Sequence, residues 1–431
     1  MALKHFITVA IFFLAQPLIA HADEKPTAIV LTVACDRTEA VYEQGETVAF
    51  TIQLEQPKST APIEDVVWTI SKDGIAPITT GKVVLVDDTA TVTGKLDEPG
   101  FLQCRVTVIG GDKKSVIALA SAAVDPLKIK PSMNVPDDFD AYWSDEKQKL
   151  ALVPLNVKLT TQVSTSTTVE VFDAQIDSIG NPVSGYFARP IGAKPKSLPI
   201  ILTVHGAGVS SSSLAGATNW SAQGFIAMDI NAHGIPNGKP KEFYSELANG
   251  ELKDYRTRGR ESRETIHFHD MFLRLVRAID FLTSQPEWDG RTLVVHGSSQ
   301  GGFQSIVAAG LDPRVTFFAA GVPAGCDHTG FKAGRINGWP KFILTGETPP
   351  DSIVDAVRYY DAVNFATRVK VPGILTVGFI DTTCPPTSVY AAYNALGGKR
   401  EIFNSVLTGH TTVAPTTNAM RKAISEHVAR P

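Results

Sequence analysis

The segment Gly297-Ser298-Ser299-Gln300-Gly301-Gly302 follows the apolar run Leu293-Val294-Val295 and precedes a helix-forming stretch at 303–311. Strand, sharp turn and helix form the setting in which a G-x-S-x-G sequence lifts a serine hydroxyl above a sheet. The glycines matter because neighbouring side chains would clash in so tight a turn. Ser299 is therefore the expected nucleophile. Its hydroxyl is protonated at neutral pH, so attack on a carbonyl needs a base to receive the proton. His410 lies in Leu407-Thr408-Gly409-His410-Thr411, after a strand-like run at 401–405 and before the last helix, and is the expected base. The acid that holds the imidazole should lie between the two in the chain. Asp381 follows the apolar run 374–380, where a strand terminus would bring it to the same rim as Ser299. Asp351 and Asp355 are the alternative acids.

Acyl transfer at a serine also needs two N–H donors aimed where negative charge develops. The backbone of Gln300 should supply one, at the start of a helix whose dipole favours an anion. Ala207 should supply the other, because it follows His205-Gly206 at the end of a strand-like run at 199–205. His205 itself reads as structural. His233, His267, His269 and His328 show no H-x-x-x-H or H-E-x-x-H spacing. They read as hydrogen-bonded or surface histidines, and neither a metal nor a cofactor is expected.

These residues require a parallel sheet with helices on both faces. Beyond Pro126 and Pro131 the pattern alternates strand and helix accordingly. Strands are expected at 199–205, 224–230, 292–296, 315–321, 373–379 and 401–405, with a capped helix at 137–150 opening at Asp138 and a long helix at 261–284. Before the linker, apolar and polar residues alternate in about seven short runs, at 28–33, 48–54, 66–71, 82–85, 90–94, 101–109 and 116–122. Such spacing predicts an immunoglobulin-like β-sandwich. The expected fold class is thus an α/β-hydrolase domain over residues 126–431 with an all-β domain over 23–125.

Residues 1–22 carry Lys4, an apolar core and the small-residue site Ala20-His21-Ala22. That layout predicts a secretory signal cleaved after Ala22, and so a secreted or periplasmic protein. The apolar core is shorter than the ~20 residues of a spanning helix, and no integral membrane association is expected. A balance of 40 Lys and Arg against 44 Asp and Glu leaves a net charge of -4, which disfavours a nucleic-acid partner. Of the four cysteines, Cys35 and Cys104 could bridge the sheets of the β domain with Trp68 nearby, while Cys326 and Cys384 are open between a bond and buried thiols.

The second domain resembles the acetyl xylan esterase and cephalosporin-C deacetylase family from about Val135 onward. The likeness rests on Pro136-Asp137-Asp138-Phe139-Asp140-Ala141-Tyr142-Trp143, on Arg277-Ala278-Ile279-Asp280-Phe281-Leu282 leading to the serine turn, on Val322-Pro323-Ala324-Gly325-Cys326-Asp327, and above all on Asp381-Thr382-Thr383-Cys384-Pro385-Pro386-Thr387. The resemblance implies deacetylation of O-acetylated oligo- or polysaccharides, with Ser299, Asp381 and His410 as nucleophile, acid and base. Three departures stand out. Asn231-Ala232-His233 occupies the place of the family's Arg-Gly-Gln, Ala207 that of a tyrosine, and Thr411 that of a glutamate. The smaller Ala207 is expected to widen the acyl pocket. Two rival readings are a serine peptidase of the prolyl-oligopeptidase type, whose N-terminal propeller is too large for about a hundred residues, and a catalytically silent envelope or carbohydrate-binding protein.

Overall fold

The computed structural model describes residues 28–430 apart from 58–62, 64–65, 110–113 and 345. The expected secretory signal lies outside the described residues. Two β-sheets form the N-terminal part. One contains β1 (Val30–Cys35), β3 (Val48–Glu55) and β6 (Thr89–Gly94); the other runs in the order β2 (Val41–Tyr42), β8 (Ser115–Val124), β7 (Gly100–Ile109), β4 (Val66–Lys72), β5 (Pro77–Val83). In β3 the alternation of the sequence becomes an inside and an outside: Phe50, Ile52 and Leu54 are buried, while Thr51, Gln53 and Glu55 are exposed. Phe50 and Ile52 share one core with Ile70, Leu102 and Cys104 of the other sheet.

Two expectations for this part need correction. The strand expected at 82–85 is β5, ending at Val83, because Asp73 (φ 54°) and Gly74 (φ 73°) turn the chain back at once and pair Val66 with Val83. Cys35 and Cys104 do lie on opposite sheets, but all four cysteines are free thiols. Burial pushes both Cys35 and Cys104 up to about 12.

The second part is a nine-stranded sheet in the order β17-β16-β15-β14-β12-β13-β11-β10-β9. Its strands are β9 (Lys158–Thr161), β10 (Val169–Ile176), β11 (Val183–Pro190), β12 (Leu198–Val204), β13 (Ile226–Ile230), β14 (Trp288–Ser298), β15 (Phe317–Gly321), β16 (Gly373–Gly378) and β17 (Arg400–Ser405). Strands β12 to β17 are parallel, whereas β9, β10 and β11 extend the sheet antiparallel. This is the α/β-hydrolase arrangement. The helices are α1 (Phe139–Ala151), α2 (Leu214–Ser221), α3 (Lys241–Asn249), α4 (Phe268–Thr283), α5 (Gln300–Leu311), α6 (Asp351–Arg358), α7 (Ala362–Ala366), α8 (Pro386–Ala395) and α9 (Ala414–Val428). Every residue of β13, β15 and β16 is buried, as helices on both faces require. Ile200 and Leu202 of β12 join the core with Phe272 of α4 and Phe303 of α5, while Ile201 joins Met420 and Ile424 of α9.

Helix α4 begins at Phe268 rather than at residue 261. The hydroxyl of Thr265 donates to Gly259 O and the N–H of His267 to Arg258 O, which closes a turn where a helix would otherwise continue. Asp138 is the N-cap residue of α1, as expected, but its side chain makes no capping hydrogen bond; its carboxylate instead binds Arg263 at 2.7 Å and the Tyr359 hydroxyl. Among the described residues no helix is long and apolar enough to cross a membrane.

Candidate active site

Ser299 occupies the junction between β14 and α5 with φ 58° and ψ −120°, a conformation that side chains rarely adopt. Three backbone hydrogen bonds hold it there. Its N–H donates to Gly321 O at 2.8 Å, and its carbonyl accepts from Phe303 and Ala324, each at 3.0 Å. The surrounding glycines are steric necessities: a Cβ on Gly301 would lie 2.1 Å from Val204 O, and one on Gly297 would lie 2.5 Å from the same oxygen. The turn therefore fits only because its backbone can touch the end of β12.

The structure brings together the three residues that the sequence singles out. His410 Nε2 is 2.8 Å from Ser299 Oγ, and His410 Nδ1 is 2.7 Å from Asp381 Oδ2. Asp381 is buried, and its other oxygen accepts the N–H groups of Thr383 at 2.8 Å and Cys384 at 2.9 Å. An ionised carboxylate can only accept, so the imidazole proton sits on Nδ1 and Nε2 is free to take the serine proton. The loops carrying base and acid are tied to each other: Ile380 N–H donates to Thr408 O at 3.2 Å and Phe379 N–H to Ser405 O at 3.2 Å. The alternative acids are elsewhere, Asp351 and Asp355 being exposed on α6, where Asp355 pairs with Arg358.

Gln300 opens α5, and the loop after β12 passes beside the nucleophile, since a Cβ on Gly206 would stand 3.7 Å from Ser299 Cβ. Ala207 is exposed on that loop. His205 stays local, with Nδ1 2.7 Å from Gly206 O. His269 bridges Glu146 and Asp270, each at 2.9 Å; burial lowers its proton affinity, but the two carboxylates outweigh that and hold it above the ordinary histidine value. His328 is buried against Tyr360 O, and desolvation drives it down to about 3. The one set of potential metal donors among the described residues is Asp381, Cys384 and His410, whose ligand atoms lie within 4.8 Å of one another. Burial raises the Cys384 thiol far above its usual value, so it stands there as a neutral neighbour of the acid and base.

The replaced Arg-Gly-Gln segment has its own supports, which the sequence reading missed. Asn231 is buried and donates to Ile235 O at 2.7 Å and to Asn237 Oδ1 at 3.1 Å. Arg274, buried on α4, donates to Ala232 O at 2.7 Å. Tyr255, also buried, donates to Gln300 Oε1 at 3.1 Å, and nothing in the local sequence marks it.

Comparison with known proteins agrees with this geometry. The sequence profile of the acetyl xylan esterase family matches residues 117–422. The chain is 30% identical over 425 residues to the acetyl esterase Axe7A of Xylanibacter ruminicola, covering 96% of this chain and 94% of that protein. Among solved structures, the acetyl xylan esterase from Paenibacillus sp. R4 superposes with a TM-score of 0.61 at 25% identity, over 70% of this chain and 98% of that one. Acetyl xylan esterase 1 from Thermoanaerobacterium sp. JW/SL YS485 shares the fold, with a TM-score of 0.57 at 21% identity and the same coverage of 70% and 98%. With a family profile spanning most of its length and a relative aligned over nearly all of it, this chain belongs to the acetyl xylan esterase family and is a carboxylic ester hydrolase.

Proposed function

We propose that this chain is an exported serine esterase that removes acetyl and other short acyl groups from O-acetylated carbohydrates, such as xylan and xylo-oligosaccharides. The observation that carries the reading is the hydrogen-bonded series Ser299, His410, Asp381, at 2.8 and 2.7 Å. Ser299 Oγ attacks the ester carbonyl while His410 Nε2 takes its proton, and Asp381 stabilises the imidazolium that results. The carbonyl oxygen becomes an oxyanion facing the N–H groups of Gln300 and Ala207, each donor contributing about 3 kcal/mol to the transition state. Collapse of that intermediate expels the sugar oxygen, which leaves as a hydroxyl with the proton from His410. Water then attacks the acyl-serine by the same route and releases the free acid. An acetylated carbohydrate as substrate is supported by the acetyl xylan esterases whose family profile and fold this chain matches. Export draws on the signal-like segment at 1–22, and the two-sheet N-terminal part is read as an immunoglobulin-like sandwich because its sheets share one core.

Assaying p-nitrophenyl acetate, acetylated xylan and a prolyl peptide side by side tests the reading. The expected outcome is acid release from both esters and no cleavage of the peptide. Peptide cleavage would favour the peptidase reading. Inactivity on all three would favour a silent carbohydrate-binding protein.

A further inference from the structure

Gly208 follows the expected oxyanion donor Ala207 and has φ +130°, a conformation that L side chains rarely adopt. A Cβ at Gly208 would point into open space, with nothing within 4 Å. Two hydrogen bonds hold the loop here. The N–H of Gly208 donates to the Tyr255 hydroxyl at 3.2 Å, and its carbonyl lies 3.1 Å from His233 Nε2. The same Tyr255 hydroxyl donates to Gln300 Oε1 at 3.1 Å, so it joins the loop to the residue that offers the second oxyanion donor.

A carbonyl only accepts, so His233 Nε2 carries the proton and donates to Gly208 O. His233 Nδ1 is then an acceptor, and His267 Nε2, 3.1 Å away, must donate to it. Desolvation, reinforced by neighbouring positive charge, drives His233 down to about 3 and His267 to about 4. Both rings are therefore neutral wherever a histidine base can work. Further contacts hold His233 still: its N–H donates to Asn231 Oδ1 at 3.3 Å, and its ring meets Tyr255 edge-on with centroids 4.6 Å apart.

We propose that Tyr255 and His233 are positioning residues of the oxyanion hole, fixing the loop that carries the Ala207 donor against Gln300 before the substrate carbonyl arrives. Preorganised donors stabilise the transition state because they need not reorient as charge develops. In this chain His233, standing where the resembled family has glutamine, does the gripping together with Tyr255. The inference rests on the reading of Ser299 as nucleophile.

The test is Tyr255→Phe, which keeps the ring and removes both hydrogen bonds of its hydroxyl. With p-nitrophenyl acetate, kcat should fall 10- to 100-fold while KM changes less than about 3-fold. Affinity for an aryl trifluoromethyl ketone, whose serine adduct places an oxyanion in the same hole, should weaken by the same factor as kcat. A kcat within 2-fold of wild type would overturn the proposal, as would a loss of kcat with undiminished ketone affinity. A second pair keeps the test open should Tyr255→Phe fail to fold. His233→Gln retains a donor for Gly208 O and His233→Leu does not, so kcat should be at least 10-fold higher for Gln, and equal values would overturn the role of His233. Wild-type activity in Ser299→Ala would instead defeat the underlying esterase reading.

Discussion

Ser299 holds a backbone conformation that costs on the order of 1–3 kcal/mol, and the fold sustains it because glycines at 297 and 301 let three chain segments meet around it. That is why the nucleophile was legible: the constraint is local, so its glycines sit at fixed offsets. The acid was less so. Asp381, Asp351 and Asp355 all fit the chain order, and only the end of β16 separates them by carrying the first alone to the base. Tyr255 could not be read at all, since its partner Gly208 is 47 residues away. A further glycine matters just as much. At Gly378 a Cβ would lie 2.4 Å from Thr408 O and 2.6 Å from Gly409 O, where the loop bearing His410 crosses the strand. Gly378→Ala should push that loop away and lower kcat about 100-fold, the usual cost of misplacing a reacting group by ~1 Å. The accompanying loss of stability should be only about 1–3 kcal/mol. Paired kinetics and thermal melts check this, and wild-type kcat in a folded variant would mean that the crossing tolerates a methyl group.

At the scale of elements, legibility followed unbroken apolar runs. The parallel strands read as continuous apolar runs because both faces are covered; β13 and β16 appear within a few residues of expectation. The antiparallel strands β9 to β11 escaped. β9 is exposed throughout, β10 interleaves Glu170, Asp173 and Gln175 with its apolar residues, and β11, although buried from Val183 to Ala188, breaks its apolar residues with Ser184 and Gly185, all of which weakens the strand signal. Residues 261–267 show a different failure. Their composition suits the helix that follows, yet hydroxyl and backbone bonds to Gly259 and Arg258 turn the chain first. His267 then lies within reach of His233, so the misread boundary supplies a support of the site. Asp138 is a similar case, a helix-start residue whose carboxylate is taken by Arg263 and Tyr359 from distant parts of the chain.

Over the whole molecule, the N-terminal sheets are packed against the element that bears the acid. Phe101 of β7 meets Phe379, two residues before Asp381, edge-on at 5.1 Å, and Tyr390 of α8 at 5.6 Å. Asp73, in the turn between β4 and β5, accepts a hydrogen bond from Thr387 of α8 and is buried. Desolvation raises its carboxyl from 3.8 to about 6. The folded state thus favours the protonated acid. Its contribution to stability is fullest below pH ~4 and is lost as pH rises through about 6, amounting to roughly 3 kcal/mol at most. Asp73→Asn removes that ionisation, and asparagine tolerates the φ of 54° found there. Denaturant melts should find the variant more stable than wild type at pH 8, with the gap closing below about pH 4. A difference that does not change with pH would show that the buried carboxyl does not carry the cost.

Covalent attack by Ser299 is the central chemical step, and labelling tests it most directly. Treating the protein with an aryl phosphonate ester and mapping the adduct by peptide mass spectrometry should find one modification per chain, on Ser299, with esterase activity lost in proportion to labelling. Full labelling of Ser299 with esterase activity intact, or inactivation with the adduct on another residue, would contradict it.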